Sequence, residues 1–148
     1  MECGKRCLVV SIERLLRNAR VIAVVGLSDR PERASHDVAR YLQSQGYRVI
    51  PVNPHLTGPV LGEQPYPDLR SVPVSVDVVD IFRKAEDVPP VVEEAIATGA
   101  GEVWMQLGIV NEAAAAKARD AGVDVVMDKC MRVEHRELVR QGKLPGKG

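Results

Sequence analysis

Five consecutive apolar residues, Val21-Ile22-Ala23-Val24-Val25, run into Gly26 and then into a polar stretch carrying Ser28, Arg30, Arg33, Ser35 and His36. An apolar run this short, without polar alternation, predicts a strand buried on both faces, and so a parallel sheet covered by helices. Glycine at its end permits a tight turn and close backbone approach. The stretch Asp37 to Gln45 is amphipathic, which predicts a helix over 35–45. The first amides of a helix lack intrahelical partners, so that start is a ready anion site. Strand, polar glycine turn and helix together make the phosphate-binding corner of a nucleotide-binding α/β fold.

The alternation continues along the chain. Ser11 caps a predicted helix over 11–19, with Ile12, Leu15, Leu16 and Ala19 on one face. Gly46 stops the second helix, and a strand follows over 47–52, expected to turn irregular at Pro51. Residues 55–73 are rich in proline and glycine and read as a loop, with a short extended piece near Val60-Leu61 and one helical turn at Asp68–Val72. Further strands are predicted over 76–82, 102–107 and 123–127, and further helices over 89–98, 112–121 and 130–139. Pro89-Pro90 suits a helix's first turn, where the amide is unpaired in any case. The order β-α-β-loop-β-α-β-α-β predicts an α/β protein: one Rossmann-like, doubly wound parallel sheet of about five strands with flanking helices. Residues 1–10 and 141–148 read as flexible tails around a single domain over 11–140.

At 148 residues with zero net charge, the chain is one domain's length and carries no global basic field, which argues against nucleic-acid binding. No apolar run approaches the roughly 20 residues of a membrane span. The run Cys7-Leu8-Val9-Val10 is too short for a signal segment, so a cytoplasmic protein is expected. Cys3, Cys7 and Cys130 make an odd count without metal or redox spacing, and no metal site is predicted. Nothing points beyond a monomer or small homo-oligomer.

Ligands of open parallel sheets bind beyond the carboxyl ends of the strands. The predicted strands end in Gly26, Ser28, Arg30, Arg33, Ser35 and His36; in Asn53, Pro54 and His55; in Phe82, Arg83 and Lys84; in Gln106 and Gly108; and in Asp128, Lys129 and Cys130. Arg30, Arg33, Arg83 and Lys84 form a local basic focus in a neutral protein, which favours a phosphorylated small molecule. The dinucleotide fingerprint is absent, because Ser28 and Pro31 stand where its later glycines belong, and Asn53-Pro54 replaces the acidic ribose anchor. Nicotinamide cofactors are therefore disfavoured. The P-loop pattern is missing too, and Gly26-Leu27-Ser28-Asp29-Arg30 lacks the closing glycine of a nucleophile elbow.

Val25-Gly26-Leu27-Ser28, Pro31-x-Arg33-x-Ser35, Val52-Asn53-Pro54, Asp77 to Arg83, Trp104 to Gly108 and Val126-Met127-Asp128-x-Cys130 resemble the small stand-alone prokaryotic CoA-binding proteins. Those are similar to the CoA-binding domain of the succinyl-CoA ligase alpha subunit. The resemblance covers roughly residues 11–140 and is specific in the combination of its motifs. It implies a Rossmann-like domain that binds coenzyme A, or an acyl-CoA, at the strand ends. It implies no reaction, and the ligase's phosphohistidine domain has no counterpart in the sequence. On this reading the pyrophosphate meets the turn of Gly26, Leu27 and Ser28 and the helix start at Ser35 and His36. Arg33 or Arg83 meets the 3′-phosphate, and Val52 and Pro54 rim the adenine. Asn53, Phe82, Gln106 and Gly108 complete the expected cofactor-binding set.

Each of these residues also has a plainer reading. Gly26 serves a tight turn without any ligand. Ser35 fits a helix N-cap, and Arg33 and Arg83 fit surface ion pairs. His36 and His55 read as loop histidines, and Trp104 and Phe82 as packing residues. Asp29 and Asp37 flank the anion site and are expected to face solvent or cap the helix. An enzyme acting on a CoA thioester through Cys130 or His36 needs a paired nucleophile and base, and none stands at a recognisable spacing. The expectation is a ligand-binding module with no catalytic residues; an NAD-binding regulatory domain is the remaining alternative.

Overall fold

The computed structural model describes residues 11–147; the expected N-terminal tail, with Cys3 and Cys7, and Gly148 lie outside the described residues. The chain begins with helix α1 (Ile12–Asn18), capped by the Ser11 hydroxyl accepting from the Arg14 amide at 3.2 Å. It continues as strand β1 (Val21–Val25), helix α2 (Ala34–Ser44) and strand β2 (Arg48–Val52). A long connection with one 3₁₀ turn, Leu69–Ser71, leads to strand β3 (Val78–Ile81). Then follow α3 (Val88–Thr98), β4 (Glu102–Met105), α4 (Glu112–Asp120), β5 (Asp124–Val126) and α5 (Met131–Arg140).

The five strands form one parallel sheet in the order β2-β1-β3-β4-β5. The order reverses between β1 and β3, which is the topological switch point. Side chains alternate strictly across the sheet. Ala23, Val25, Val79, Ile81, Val103 and Met105 pack under α3 and α4, while Ile22, Val24, Val78 and Trp104 pack under α1, α2 and α5. Both faces are thus dry, as the unbroken apolar run of β1 demands.

The structure departs from the sequence expectations in two places. Strand β2 stays regular through Pro51, which pairs in register with Val24. Arg48 donates its amide toward β1, so by alternation the missing amide of Pro51 falls on the outer edge and costs no ladder bond. That edge is joined by Tyr66, whose amide donates to the Pro51 carbonyl at 3.0 Å and whose carbonyl accepts from the Asn53 amide at 2.9 Å. The second departure is the segment after α5, read as a loose tail. Arg17 donates to the Lys143 carbonyl at 2.6 Å, and Leu144 is buried. Gln45 pairs with both backbone groups of Lys147, each at 2.8 Å. Among the described residues no helix is long and apolar enough to cross a membrane.

Candidate functional site

Gly26 ends β1 with φ +94°, and its amide donates to the Val52 carbonyl at 2.8 Å. A Cβ there would lie 2.3 Å from the Phe82 carbonyl oxygen, so the switch point closes only around glycine. The loop beyond is stitched by its own polar groups. The Ser28 amide donates to the Ser35 hydroxyl at 2.9 Å, and the Arg30 amide donates to the Ser28 hydroxyl at 3.1 Å. His36 Nδ1 lies 2.9 Å from the Ser28 carbonyl, and Asn53 donates from Nδ2 to the Leu27 carbonyl at 3.0 Å. Ser35 therefore braces the loop and is not the N-cap. That position is Arg33, which has no side-chain cap bond, so the start of α2 keeps amides for an outside acceptor.

Around this helix start lies a cavity of about 510 Å³ at the carboxyl ends of β1, β2 and β3. Its walls take in Gly26, Ser28, Arg33, Ser35, Asn53, Phe82 and Arg83 from the expected set. Arg33 is exposed and Arg83 half-buried, and neither has an ion-pair partner among the described residues. Arg30, by contrast, sits 3.9 Å from Glu32. Asp37 is drawn off by Arg40 at 2.9 Å and by Arg132, which leaves Asp29 as the carboxylate in the cavity wall.

The other expected residues lie outside the cavity lining. Leu27 and Val52 are core residues, and His36 is buried behind the loop that it braces. Pro54 is exposed beside the cavity, while its neighbours His55 and Leu56 line it. Gln106 is buried and donates from Nε2 to Asp80 at 2.5 Å, and its Oε1 lies 3.4 Å from the Met131 amide. Gly108, at φ +85°, donates its amide to Asp128 at 2.7 Å. Ala34, Asp29, His55 and Leu56 are the lining residues outside the expected set; His55 and Leu56 directly follow Asn53-Pro54, so their place at a strand end is the signal for them.

Asp80 is the residue that strand patterning hides. It is fully buried in β3, its Oδ2 has no hydrogen-bond partner among the described residues, and burial pushes its carboxyl up to about 7 against the smaller opposing effect of the Gln106 hydrogen bond. Trp104, also fully buried, donates from its indole to the Lys129 carbonyl at 2.8 Å. Among the described residues no group of acidic, histidine or cysteine side chains is arranged to hold a metal ion.

A switch-point cavity with a glycine turn, an uncapped helix start and two arginines without ion-pair partners among the described residues is common to several α/β families. The family model of the CoA binding domain decides among them, matching residues 20–136. The chain belongs to the CoA binding domain family. All elements from β1 to the first half of α5 fall inside that match, so the family's domain and the folded sheet coincide. The uncharacterized protein YneT of Bacillus subtilis (strain 168) is 42% identical over 124 residues, covering 84% of this chain and 91% of that protein. A hypothetical protein from Pyrococcus horikoshii OT3 superposes with a TM-score of 0.84 at 38% identity, covering 94% of this chain and 99% of that one. The dinucleotide forming acetyl-coenzyme A synthetase 1 of Ca. Korarchaeum cryptofilum, in its apo form, matches with a TM-score of 0.65 at 25% identity. That match covers 78% of this chain and 27% of the synthetase.

Proposed function

We propose that this protein binds coenzyme A or an acyl-CoA at the carboxyl ends of β1, β2 and β3, as a cytoplasmic binding module without chemistry of its own. The observation that carries the reading is that Arg33 and Arg83, without carboxylate partners among the described residues, line one cavity with the uncapped start of α2. Coenzyme A brings a pyrophosphate and a separate 3′-phosphate. The pyrophosphate suits the Gly26–Ser28 turn and the helix amides, and the 3′-phosphate needs the additional cation. His55 and Leu56, with Pro54 beside them, offer the adenine a rim. His36 is committed to the Ser28 carbonyl, which gives it a bracing task in place of a catalytic one.

Thermal unfolding with added nucleotide tests this. A ligand at a hundredfold excess over its Kd stabilises the native state by about 2.7 kcal/mol. For a chain of this size that raises the melting temperature by roughly 5–12 °C, the rise expected with coenzyme A and with acetyl-CoA. NAD, NADP and ATP lack the 3′-phosphate and pantetheine combination and are expected to move it by less than about 2 °C. A flat coenzyme A titration beside a clear NAD shift overturns the reading in favour of a dinucleotide domain.

A further inference from the structure

A second cavity, of about 360 Å³, opens at the opposite, amino-terminal end of the sheet. Its floor and sides are Leu16 and Tyr47, and its outer wall is the C-terminal segment, through Leu144, Pro145 and Lys147. That wall is fixed in place by the Arg17 bond to the Lys143 carbonyl and by the paired Gln45 and Lys147 bonds. Facing the space is His135, only 3% exposed. Tyr41 and Tyr47 hold its ring edge-on, with centroids 5.5 and 5.7 Å away.

The hydrogen bonding of His135 is incomplete. Nδ1 lies 2.8 Å from the Tyr41 hydroxyl, and Nε2 has no partner among the described residues. Burial lowers the ring's pKa and keeps it neutral. In the tautomer where the Tyr41 hydroxyl donates to Nδ1, the ring's proton sits on Nε2, available as a donor. His135 lines the cavity, so Nε2 is open to an acceptor that enters there. Two cations, Arg20 and Lys147, line the same space, and neither has an ion-pair partner among the described residues. Leu16, Ala19, Leu144 and Pro145 supply an apolar complement.

We infer that this cavity is a second ligand site, separate from the nucleotide corner, for a small carboxylic acid with a short apolar body. The carboxylate lies between Arg20 and Lys147 and accepts from His135 Nε2, and the apolar body lies against Leu16, Leu144 and Pro145. The volume falls at the lower end of the roughly 300–1,000 Å³ of small-molecule pockets, which suits a ligand of a few carbons.

The test is calorimetric and NMR titration of the whole protein with sodium hexanoate, with hexanol and inorganic phosphate as parallel probes. Hexanoate is expected to bind saturably at millimolar concentration and to move the His135 ring signals, while hexanol and phosphate do neither. The double variant Arg20→Ala/Lys147→Ala, both at exposed positions, is expected to weaken hexanoate at least tenfold and to leave coenzyme A titration unchanged. His135→Phe, which keeps a ring and removes Nε2, is expected to weaken hexanoate while circular dichroism stays native. Absent hexanoate saturation, phosphate binding as well as hexanoate, or undiminished binding in the double variant each overturns the assignment. Because coenzyme A is titrated separately, failure here leaves the nucleotide reading standing.

Discussion

The carboxyl ends of β1 and β4 lie in the same sheet and carry similar residues, yet they use them in opposite ways. Each ends near a glycine at positive φ, Gly26 and Gly108, followed by polar loop residues. At β4 the polar groups are consumed inside the protein: Gln106 by Asp80, the Gly108 amide by Asp128, and the Trp104 indole by the Lys129 carbonyl. At β1 the loop is braced by Ser35, His36 and Asn53, while the start of α2 has no side-chain cap and the side chains of two arginines have no ion-pair partner among the described residues. The difference follows from topology. At the switch point neighbouring connections leave on opposite faces and a crevice opens. At β4 the connections on either side stay close enough for their polar groups to meet.

The largest expected effect breaks the β1 side at its hinge. Gly26→Ala places a Cβ 2.3 Å from the Phe82 carbonyl oxygen at a φ of +94°. Backbone strain and overpacking together amount to roughly 2–6 kcal/mol. We expect a matching loss in urea unfolding and no measurable coenzyme A binding by calorimetry. Undiminished binding would show that the ligand does not approach this turn.

The next effect belongs to the β4 side and concerns stability. Burial pushes Asp80 from 3.8 up to about 7. Between those values the folded protein holds a proton that the unfolded chain releases. The stabilisation is therefore complete below about pH 4, falls as pH rises, and is gone above about pH 7, up to about 4 kcal/mol in all. Glu102, also raised to about 7 by burial and by Asp124 and Asp77, slopes the same way. Urea unfolding from pH 4 to 8 is expected to show the wild type losing stability with pH and Asp80→Asn losing markedly less. Parallel profiles would mean that Asp80 is not the group responsible.

This contrast also explains what was legible in the sequence. The five strands were readable because buried parallel strands are unbroken apolar runs, and the glycine turn and its cations were readable because they follow one. Gln106 and Gly108 follow the same strand-end rule, and position at a strand end says nothing about whether a partner from another strand has already taken the polar group. Asp80 was hidden among the valines of its strand, because its meaning depends on Gln106 in the next strand. The C-terminal segment was hidden because Lys143 and Lys147 are held through their backbone groups, which leave no pattern in side-chain composition.

Of intermediate size is the effect of the two free cations. Arg33→Ala and Arg83→Ala each remove a charge-assisted contact worth about 1.5–3 kcal/mol, roughly ten- to a hundredfold in affinity. The variant whose arginine meets the 3′-phosphate is expected to lose more affinity for coenzyme A than for dephospho-CoA, which lacks that group. The other is expected to weaken both alike. Calorimetry of both variants with both ligands therefore assigns each arginine to its phosphate, and affinities matching the wild type would refute the role given to them.

The smallest effect sharpens the comparison glycine against glycine. Gly108 shares the positive φ of Gly26, at +85°, but a Cβ there would meet nothing within 4 Å. Only conformational strain remains, about 1–2 kcal/mol for an L-residue in the left-handed region. Gly108→Ala is therefore expected to unfold at slightly lower urea and to bind coenzyme A within about twofold of the wild type, under 0.5 kcal/mol. The Gly108 amide is already spent on Asp128, so no donor is taken from a ligand when the loop shifts. A tenfold loss of affinity in this variant would place the β4 loop in contact with the ligand and make the two strand ends parts of one site.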